Sequence, residues 1–217
     1  MQPSALFSAI GLCRSLGGRM LWRDIELTLR AGDRLALVAP SGQGKTLLLR
    51  NLALLDPLQR GALNLQGRSP ASWGLPAWRA RVTYLSQRPV AHAGTVEENL
   101  RRVWSYGSQR HRGAWQPGRM GGWLERLGRP LSFLGYPAER LSGGELQLLS
   151  LLRALQLDPV VLLLDEPCAS LDASTTLAVE ALLRDWLVAD ARACVLTSHD
   201  PEQIGRFTTA RLELKSP

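Results

Sequence analysis

The segment that most constrains the architecture of this chain is Ala39-Pro40-Ser41-Gly42-Gln43-Gly44-Lys45-Thr46. It follows a strand-like apolar run at 35–38 and precedes a leucine-rich, helix-like run at 47–55. Glycines at such a junction let backbone N–H groups turn inward around phosphate oxygens, and the positive end of the following helix faces the same anion. The pattern therefore predicts a phosphate-binding loop between a strand and a helix.

Two side chains of this loop have predicted roles. The ammonium group of Lys45 can reach the β- and γ-phosphates of a nucleotide, and the hydroxyl of Thr46 can ligate Mg²⁺. The usual pattern opens with glycine, whereas this chain has Ala39, so the first turn must accommodate a Cβ. Taken alone, the motif could also be a glycine-rich turn between a strand and a helix that binds no ligand.

Length and composition favour one α/β domain. A chain of 217 residues is long enough to bury a sheet and carry a small subdomain. Its apolar runs fall far short of the roughly 20 residues that a membrane helix needs. The start of the chain shows no secretory signal, and Cys13, Cys168 and Cys194 have no metal-ligand spacing. These features predict a reducing, cytosolic environment.

The chain is basic, with a formal net charge of +7 that arises almost wholly from arginine. Such a charge could indicate nucleic acid or an anionic membrane surface, but a general arginine bias is more simply explained by genome composition. The only lysines are Lys45 and Lys215. The body of the domain thus has a lysine only in the phosphate loop, where a compact ammonium suits phosphate.

Alternation of apolar and polar residues predicts two antiparallel strands, 6–12 and 21–29, before the phosphate loop. Further strands are predicted at 35–38, 61–66, 82–86, 160–164, 193–197 and 206–214. Helices are predicted at 47–55, 96–104, 123–127, 144–155 and 173–189, with a short one after Asp200-Pro201. Thr95 and Glu98 form a capping box for the helix at 96–104. The alternation after the loop predicts a mostly parallel sheet covered on both faces, in a single domain over 1–217 with an inserted helical subdomain at about 88–140.

A second chemical signal follows the apolar strand at 161–164, where Asp165 and Glu166 are adjacent. The carboxyl ends of parallel strands are where open α/β sheets bind ligands. We therefore expect Asp165 to hold Mg²⁺ beside Thr46, and Glu166 to act as general base on the attacking water. In isolation, the two carboxylates could instead belong to an ordinary solvated turn.

A third signal is Leu141-Ser142-Gly143-Gly144-Glu145, followed by a predicted helix. The hydroxyl of Ser142 and the bare N–H groups of Gly143 and Gly144 can bind an anion at the positive end of this helix. The chain thus has two predicted phosphate-binding helix starts. By itself, the third motif is also typical of a simple turn and helix cap.

In their order and spacing, these motifs resemble those of the nucleotide-binding subunit of an ATP-binding-cassette (ABC) transporter over nearly the whole length. In that family's terms the motifs are Walker A at 39–46, the Q-loop at Gln87, the signature at 141–145, Walker B at 161–166, the D-loop Ser170-Leu171-Asp172 and the switch His199. The resemblance implies a P-loop NTPase fold of ABC type, with a mostly parallel core sheet, an antiparallel β subdomain and a helical subdomain.

The resemblance also implies a site that hydrolyses ATP with Mg²⁺. Catalysis would involve Glu166, His199 and Gln87, and Mg²⁺ would be held by Thr46, Gln87 and Asp165. ATP would contact Pro40, Ser41, Gly42, Gln43, Gly44, Lys45, Thr46 and Leu47, and also Ser142, Gly143, Gly144 and Asp172 of the other copy in a head-to-tail homodimer. Two departures are visible: Arg14, Ser15 and Leu16 replace the aromatic that stacks on adenine, and Leu146 and Leu148 replace a glutamine and an arginine after the signature.

The family's partner is a transmembrane permease, so the resemblance implies a peripheral position at the cytoplasmic face of the inner membrane, with no nucleic acid bound. Gln87-Arg88-Pro89, Gly94-Thr95-Val96 and His199-Asp200 are most similar to bacterial iron-export and plant aluminium-tolerance subunits, which suggests metal export. The alternatives are a soluble ABC ATPase acting on nucleic acid or ribosomes, whose long coiled coils or second cassette this chain lacks, and a P-loop kinase.

Overall fold

A computed structural model of the chain describes residues 5–107, 109 and 113–215; residues 1–4, 108, 110–112 and 216–217, including part of the predicted insertion, lie outside this description. The strands are β1 (Phe7–Leu16), β2 (Arg19–Leu29), β3 (Arg34–Val38), β4 (Arg60–Leu65), β5 (Val82–Leu85), β6 (Val161–Asp165), β7 (Ala193–Thr197) and β8 (Ala210–Glu213). The helices are α1 (Lys45–Leu52), α2 (Pro70–Trp73), α3 (Leu75–Arg81), α4 (Val96–Arg102), α5 (Pro117–Arg126), α6 (Gly143–Leu155), α7 (Ala173–Val188) and α8 (Pro201–Phe207).

The core is a parallel five-stranded sheet in the order β5-β6-β7-β3-β8. Its central strands β6 and β7 are buried at every position. Alternate residues of β6 enter opposite apolar clusters: Leu162 and Leu164 join one, and Val161 and Leu163 the other. This is the arrangement that a continuous apolar run produces when helices cover both faces of a sheet. The predicted fold class is confirmed.

A separate antiparallel sheet has the order β2-β1-β4 and packs on the cluster that holds Val161 and Leu163. Its strands β1 and β4 approach closely at Gly61, whose φ is +97°. A Cβ at this glycine would lie 2.7 Å from the carbonyl oxygens of Ile10 and Gly11. Only glycine therefore fits at this crossing.

Several element boundaries differ from the sequence predictions. The strand predicted at 206–214 is wrong in its first part, because α8 continues to Phe207 and β8 spans 210–213. Phe207 is fully buried, so tertiary packing extends the helix over residues whose alternation also suits a strand. The short helices α2 and α3 had no sequence prediction, and α5 begins at Pro117 instead of residue 123.

The helices between residues 88 and 140 share one apolar cluster with the core. Side chains of α4 and α5, among them Leu100 and Leu124, pack with those of α6 and α7 and with Leu162 of the sheet. The capping box of Thr95 and Glu98 at the start of α4 is confirmed. In the described part of the chain, no helix combines the length and apolarity needed to cross a membrane.

Candidate functional site

The phosphate loop joins β3 to α1 at the carboxyl edge of the parallel sheet. Gly42 and Gly44 have φ values of +78° and +84°, a left-handed conformation that glycine adopts without strain. Gly44 is the N-cap of α1, and the ammonium of Lys45 donates to the carbonyl oxygen of Ala39 across the loop, at 3.0 Å. The Lys45 ammonium thus lies over the loop, where it could contact a bound phosphate group.

Asp165, the last residue of β6, accepts hydrogen bonds from three hydroxyl groups. Its Oδ2 accepts from Thr46 Oγ1 at 2.7 Å and from the Tyr84 hydroxyl at 2.9 Å. Its Oδ1 accepts from Thr197 Oγ1 at 2.8 Å. The carboxylate is buried, so these donors offset the loss of hydration. The register of β6 with β7 places Asp165 directly beside Thr197.

Tyr84 is a site residue that the sequence analysis missed. Burial, followed by the charge of Asp165 and the hydrogen bond to it, raises the pKa of the phenol well above its ordinary range. The hydroxyl therefore stays protonated and keeps donating to Asp165 at neutral pH. The sequence offered one signal for a role of Tyr84 in the site: it is a polar aromatic on the strand that leads to Gln87.

The oxygen atoms around Asp165 suit Mg²⁺, which prefers a few carboxylate and hydroxyl ligands and keeps several waters. The Thr46 hydroxyl and the Asp165 carboxylate lie within hydrogen-bond distance of each other, and Thr46 is exposed to the cleft. When Mg²⁺ is bound, the Thr46 hydroxyl would offer it a lone pair of its oxygen and keep its proton, and Asp165 would offer negative charge. These two residues fit the predicted metal role on the chemistry of their donors.

Glu166 has an unusual backbone conformation for a residue other than glycine, with φ of +51°. Its N–H donates to Thr197 Oγ1 at 3.0 Å, and its carbonyl oxygen accepts from Nε2 of Gln147 at 2.7 Å. Its buried Oε1 lies 3.2 Å from Nε2 of His199, and it accepts no hydrogen bond of good geometry from the described residues. Glu166 is thus a cleft-lining carboxylate beside the His199 imidazole, which is the position required of a candidate general base.

Most of the predicted site residues line one open cleft. Its described lining consists of Ser41, Gly42, Gln43, Gly44, Lys45, Thr46, Leu47, Gln87, Asp165, Glu166 and His199. Gln87 is exposed, and the side chain of His199 is 69% exposed. The fold thus assembles the phosphate loop, the candidate metal ligands and the three candidate catalytic residues at one edge of the sheet.

Five other predicted residues do not line this cleft: Pro40, Ser142, Gly143, Gly144 and Asp172. Ser142 and Gly143 are exposed at the start of α6. The Ser142 hydroxyl is engaged within its own chain, in a capping box with Glu145. This capping lowers the pKa of the Glu145 carboxyl, chiefly through the hydrogen bond from the Ser142 backbone N–H.

Asp172 acts within this chain as the N-cap of α7. One carboxylate oxygen accepts from Ser174 Oγ at 2.6 Å and from the Thr175 N–H at 2.8 Å, and the other accepts from Thr175 Oγ1 at 2.7 Å. The hydrogen bond from Ser174, followed by those from Thr175, holds the pKa of this carboxyl well below its ordinary range. The capping role expected of any aspartate before a helix is therefore present, and a contact with nucleotide stays a prediction.

The residues at the expected adenine position are spread over the end of β1. The guanidinium of Arg14 donates to the carbonyl oxygen of Pro57 at 3.3 Å, while the side chain of Leu16 is largely exposed. Leu16 is therefore the more available apolar surface for a nucleotide base. Gln147 and Thr197, which hold the backbone of Glu166, had no role in the sequence analysis, since contacts between distant elements leave no local pattern.

The chain is similar to a protein family and to several known proteins. A sequence profile of the family described as "ABC transporter" matches residues 22–169. The "Fe(3+) ions import ATP-binding protein FbpC 1" of Rhodococcus jostii is 35% identical over 198 residues, which is 89% of this chain and 55% of that protein. The "Probable iron export ATP-binding protein FetA" of Escherichia coli is 32% identical over 188 residues, which is 87% of this chain and 82% of that protein.

The chain spans about half the length of the Rhodococcus relatives that it matches. A solved structure described as "Structure of ATP binding subunit of ABC transporter" superposes with a TM-score of 0.86, at 21% sequence identity. This superposition covers 97% of this chain and 86% of that one. At this identity the likeness shows a shared fold.

Proposed function

This chain belongs to the ABC transporter family of ATP-binding proteins, and from that premise we propose that it binds ATP with Mg²⁺, hydrolyses it to ADP and phosphate, and thereby powers transport. The observation that carries the proposal is the convergence on one cleft of the phosphate loop, Asp165, and Glu166 with His199. A loop that only bound phosphate would need neither the base nor the metal ligand.

The roles of the residues follow from their positions. The loop N–H groups and the Lys45 ammonium bind the phosphates. Thr46 and Asp165 would hold Mg²⁺, which would neutralise charge on the phosphoryl group that is transferred. Glu166 takes the proton of the attacking water, because its carboxylate lies at the end of β6 in the cleft that also contains the phosphate loop. His199, whose Nε2 lies 3.2 Å from Oε1 of Glu166, would contact the γ-phosphate. Gln87, which also lines the cleft, would orient the water and help to hold the metal. The step is an in-line displacement dominated by positioning and electrostatics.

We further propose that two copies close on ATP head to tail. Ser142 and Gly143 are exposed and lie outside the cleft of their own chain, so a second copy would bring them to the open side of the phosphate loop. Asp172 of that copy would approach the same nucleotide. Each active site is then completed by the other subunit.

A membrane-spanning permease would be the transport partner, with this chain bound peripherally at the cytoplasmic face of the inner membrane. We propose a metal ion as cargo, because the subfamily motifs and the names of the Rhodococcus and Escherichia coli relatives both point to iron. Export is the proposed direction, although relatives with import names match equally well. The arginines that would support nucleic acid as a partner are in several cases engaged within the fold, as in the ion pairs of Arg119 and Arg192 with Asp158.

Glu166→Gln tests the ATPase proposal. We expect this variant to bind ATP as tightly as wild type and to lose at least about 100-fold in turnover, because general-base catalysis contributes about 10²–10⁴-fold. It should also form an ATP-locked dimer on size-exclusion chromatography with Mg-ATP. Lys45→Ala should instead bind ATP poorly. Turnover of Glu166→Gln equal to wild type would refute the assignment of the base, and a monomer at saturating Mg-ATP would contradict the composite site.

The cargo is tested by purifying the chain with its membrane partner from native cells and reconstituting the complex in vesicles. We expect Mg-ATP to drive movement of iron across the vesicle membrane in the wild-type complex and not in the Glu166→Gln complex. Equal iron movement in both complexes would refute transport of iron driven by ATP. No movement in either complex while ATP is hydrolysed would refute iron as the cargo.

A further inference from the structure

We infer that Gln147 is a positioning residue for ATP hydrolysis, which holds the backbone of Glu166 and of the loop after it against helix α6. This inference rests on the proposed ATPase function, since it concerns the residue proposed as general base. Gln147 is 2% exposed and lies in the second turn of α6. It does not itself line the cleft, and it reaches the site through the backbone of Glu166.

The need for such a residue comes from the conformation of Glu166. A φ of +51° is left-handed, and a residue with a Cβ adopts it at a cost that persists only where the surroundings enforce it. Two side chains enforce it here from opposite ends of the same residue. Thr197 Oγ1 accepts the Glu166 N–H at 3.0 Å, and Gln147 Nε2 donates to the Glu166 carbonyl oxygen at 2.7 Å.

The other end of the Gln147 amide binds the following loop. Its Oε1 accepts the backbone N–H of Ser170 at 3.1 Å. One side chain therefore joins α6 to both sides of the turn that follows β6. The donor and the acceptor of the amide are both used, so glutamine fits this position and a carboxylate or a thioether of the same length does not.

The first turn of α6 is packed on the same loop. A Cβ at Gly144 would lie 2.8 Å from the carbonyl oxygen of Ser170, so the helix backbone is in close contact with the loop. Helix α6, the loop at 168–171 and the backbone of Glu166 are thus connected through several contacts at once. Since the N-cap of α6 is the exposed Ser142, closure of a second copy on that end would be transmitted through Gln147 to Glu166 of the same chain.

Without the hydrogen bonds of Gln147, only Thr197 still holds the left-handed backbone of Glu166. The Glu166 backbone can then relax toward the ordinary helical region, which displaces the carboxylate that faces His199. Misplacement of a catalytic group by about 1 Å can reduce turnover by about 100-fold. ATP affinity should change little, because Gln147 does not itself line the cleft.

Gln147→Met tests this role, and Gln156→Met is its matched control. Gln156 is also buried, lies at the end of the same helix, donates to the Leu100 carbonyl oxygen at 2.8 Å and accepts from Trp104 Nε1 at 2.9 Å. Each variant loses one hydrogen bond that the glutamine amide donates and one that it accepts. The measurements on the full chain are kcat and KM for Mg-ATP, the Kd for ATP, and amide hydrogen exchange of the peptide that contains Ser170.

For Gln147→Met we expect kcat to fall about 10- to 100-fold with KM and Kd within about twofold, and exchange at Ser170 to accelerate. For Gln156→Met we expect kcat within about twofold of wild type and unchanged exchange at Ser170. If Gln147→Met does not fold, Gln147→Glu provides the same test, because it keeps the length and lacks the donor to Glu166.

A wild-type kcat in a folded Gln147 variant would overturn the inference, as would an equal loss of kcat in Gln156→Met, which would indicate general destabilisation. Failure of the proposed function gives a different result. In that case the wild-type chain would not hydrolyse Mg-ATP at all, and Glu166→Gln would be indistinguishable from it.

Discussion

Replacement of Thr197 by valine should destabilise the protein more than its small change in shape suggests. The Thr197 hydroxyl is fully buried between two strand ends, where it donates to Asp165 Oδ1 at 2.8 Å and accepts the N–H of Glu166 at 3.0 Å. Valine keeps the volume and removes both hydrogen bonds. The Glu166 N–H is then buried without a partner, and Asp165 loses one of its three donors.

The magnitude follows from the kinds of bond involved. A hydrogen bond to a charged group contributes about 1.5–3 kcal/mol and a neutral one about 1 kcal/mol. We therefore expect the free energy of unfolding to fall by about 3 kcal/mol. With a urea slope of about 2 kcal/mol/M, the unfolding midpoint would decrease by about 1.5 M.

Urea unfolding followed by circular dichroism provides the measurement, with Thr197→Ser as the control. Serine keeps the hydroxyl and loses one methyl group, so its free energy of unfolding should fall by no more than about 1 kcal/mol. Equal losses in Thr197→Val and Thr197→Ser at unchanged slope would refute the bridging role of this hydroxyl.

Three further outcomes are expected. Gly61→Ala should lower the free energy of unfolding, measured by urea denaturation, by about 2–4 kcal/mol. The alanine Cβ would lie 2.7 Å from two backbone carbonyl oxygens, and the residue would have to keep a left-handed conformation. A loss below about 0.5 kcal/mol would contradict the close crossing of β1 and β4. Burial raises the pKa of the Cys168 thiol to about 11. Because the thiolate is the reactive form, alkylation of Cys168, followed by mass spectrometry, should be slow at pH 8 and should accelerate about tenfold per pH unit up to pH 10. An alkylation rate that levels off near pH 9 would show an ordinary thiol pKa. Arg206→Met should lower the midpoint of urea unfolding, because it removes the two-bond partner of the buried Glu180 carboxylate and leaves only Arg184, 3.6 Å away. Adding Glu180→Leu should recover most of that loss, and no recovery would argue against the poorly paired carboxylate as the cause.

Features with a local chemical cause were accessible from the sequence. The glycines of the phosphate loop, the apolar run of β6 and the Thr95–Glu98 capping box each involve residues within a few positions of one another. The alternation of strands and helices then limited the architecture to a parallel sheet covered on both faces. The structure confirms these features, with errors mainly at the ends of elements.

The errors have a common physical origin in packing between distant segments. The last turn of α8 is helical because Phe207 is buried in the core, although the alternation from residue 206 also suits a strand. Helices α2 and α3 are short, and Gly74 separates them, so neither shows the periodicity of a longer helix. Local propensity is weak in such segments, and tertiary contacts decide their conformation.

The sequence by itself determined which chemical groups the site would contain, since the phosphate loop, Asp165, Glu166 and His199 are recognisable from residue type and spacing. Tertiary structure alone decided how these groups are held: Thr46 and Tyr84 meet one carboxylate oxygen from positions 119 and 81 residues away. It also decided that Gln147 supports Glu166 and that Ser142 lies outside the cleft of its own chain. The physical reason is that a motif depends on bonds and spacings along the backbone, whereas a hydrogen bond between elements depends on sheet order and register, which the whole core sets together.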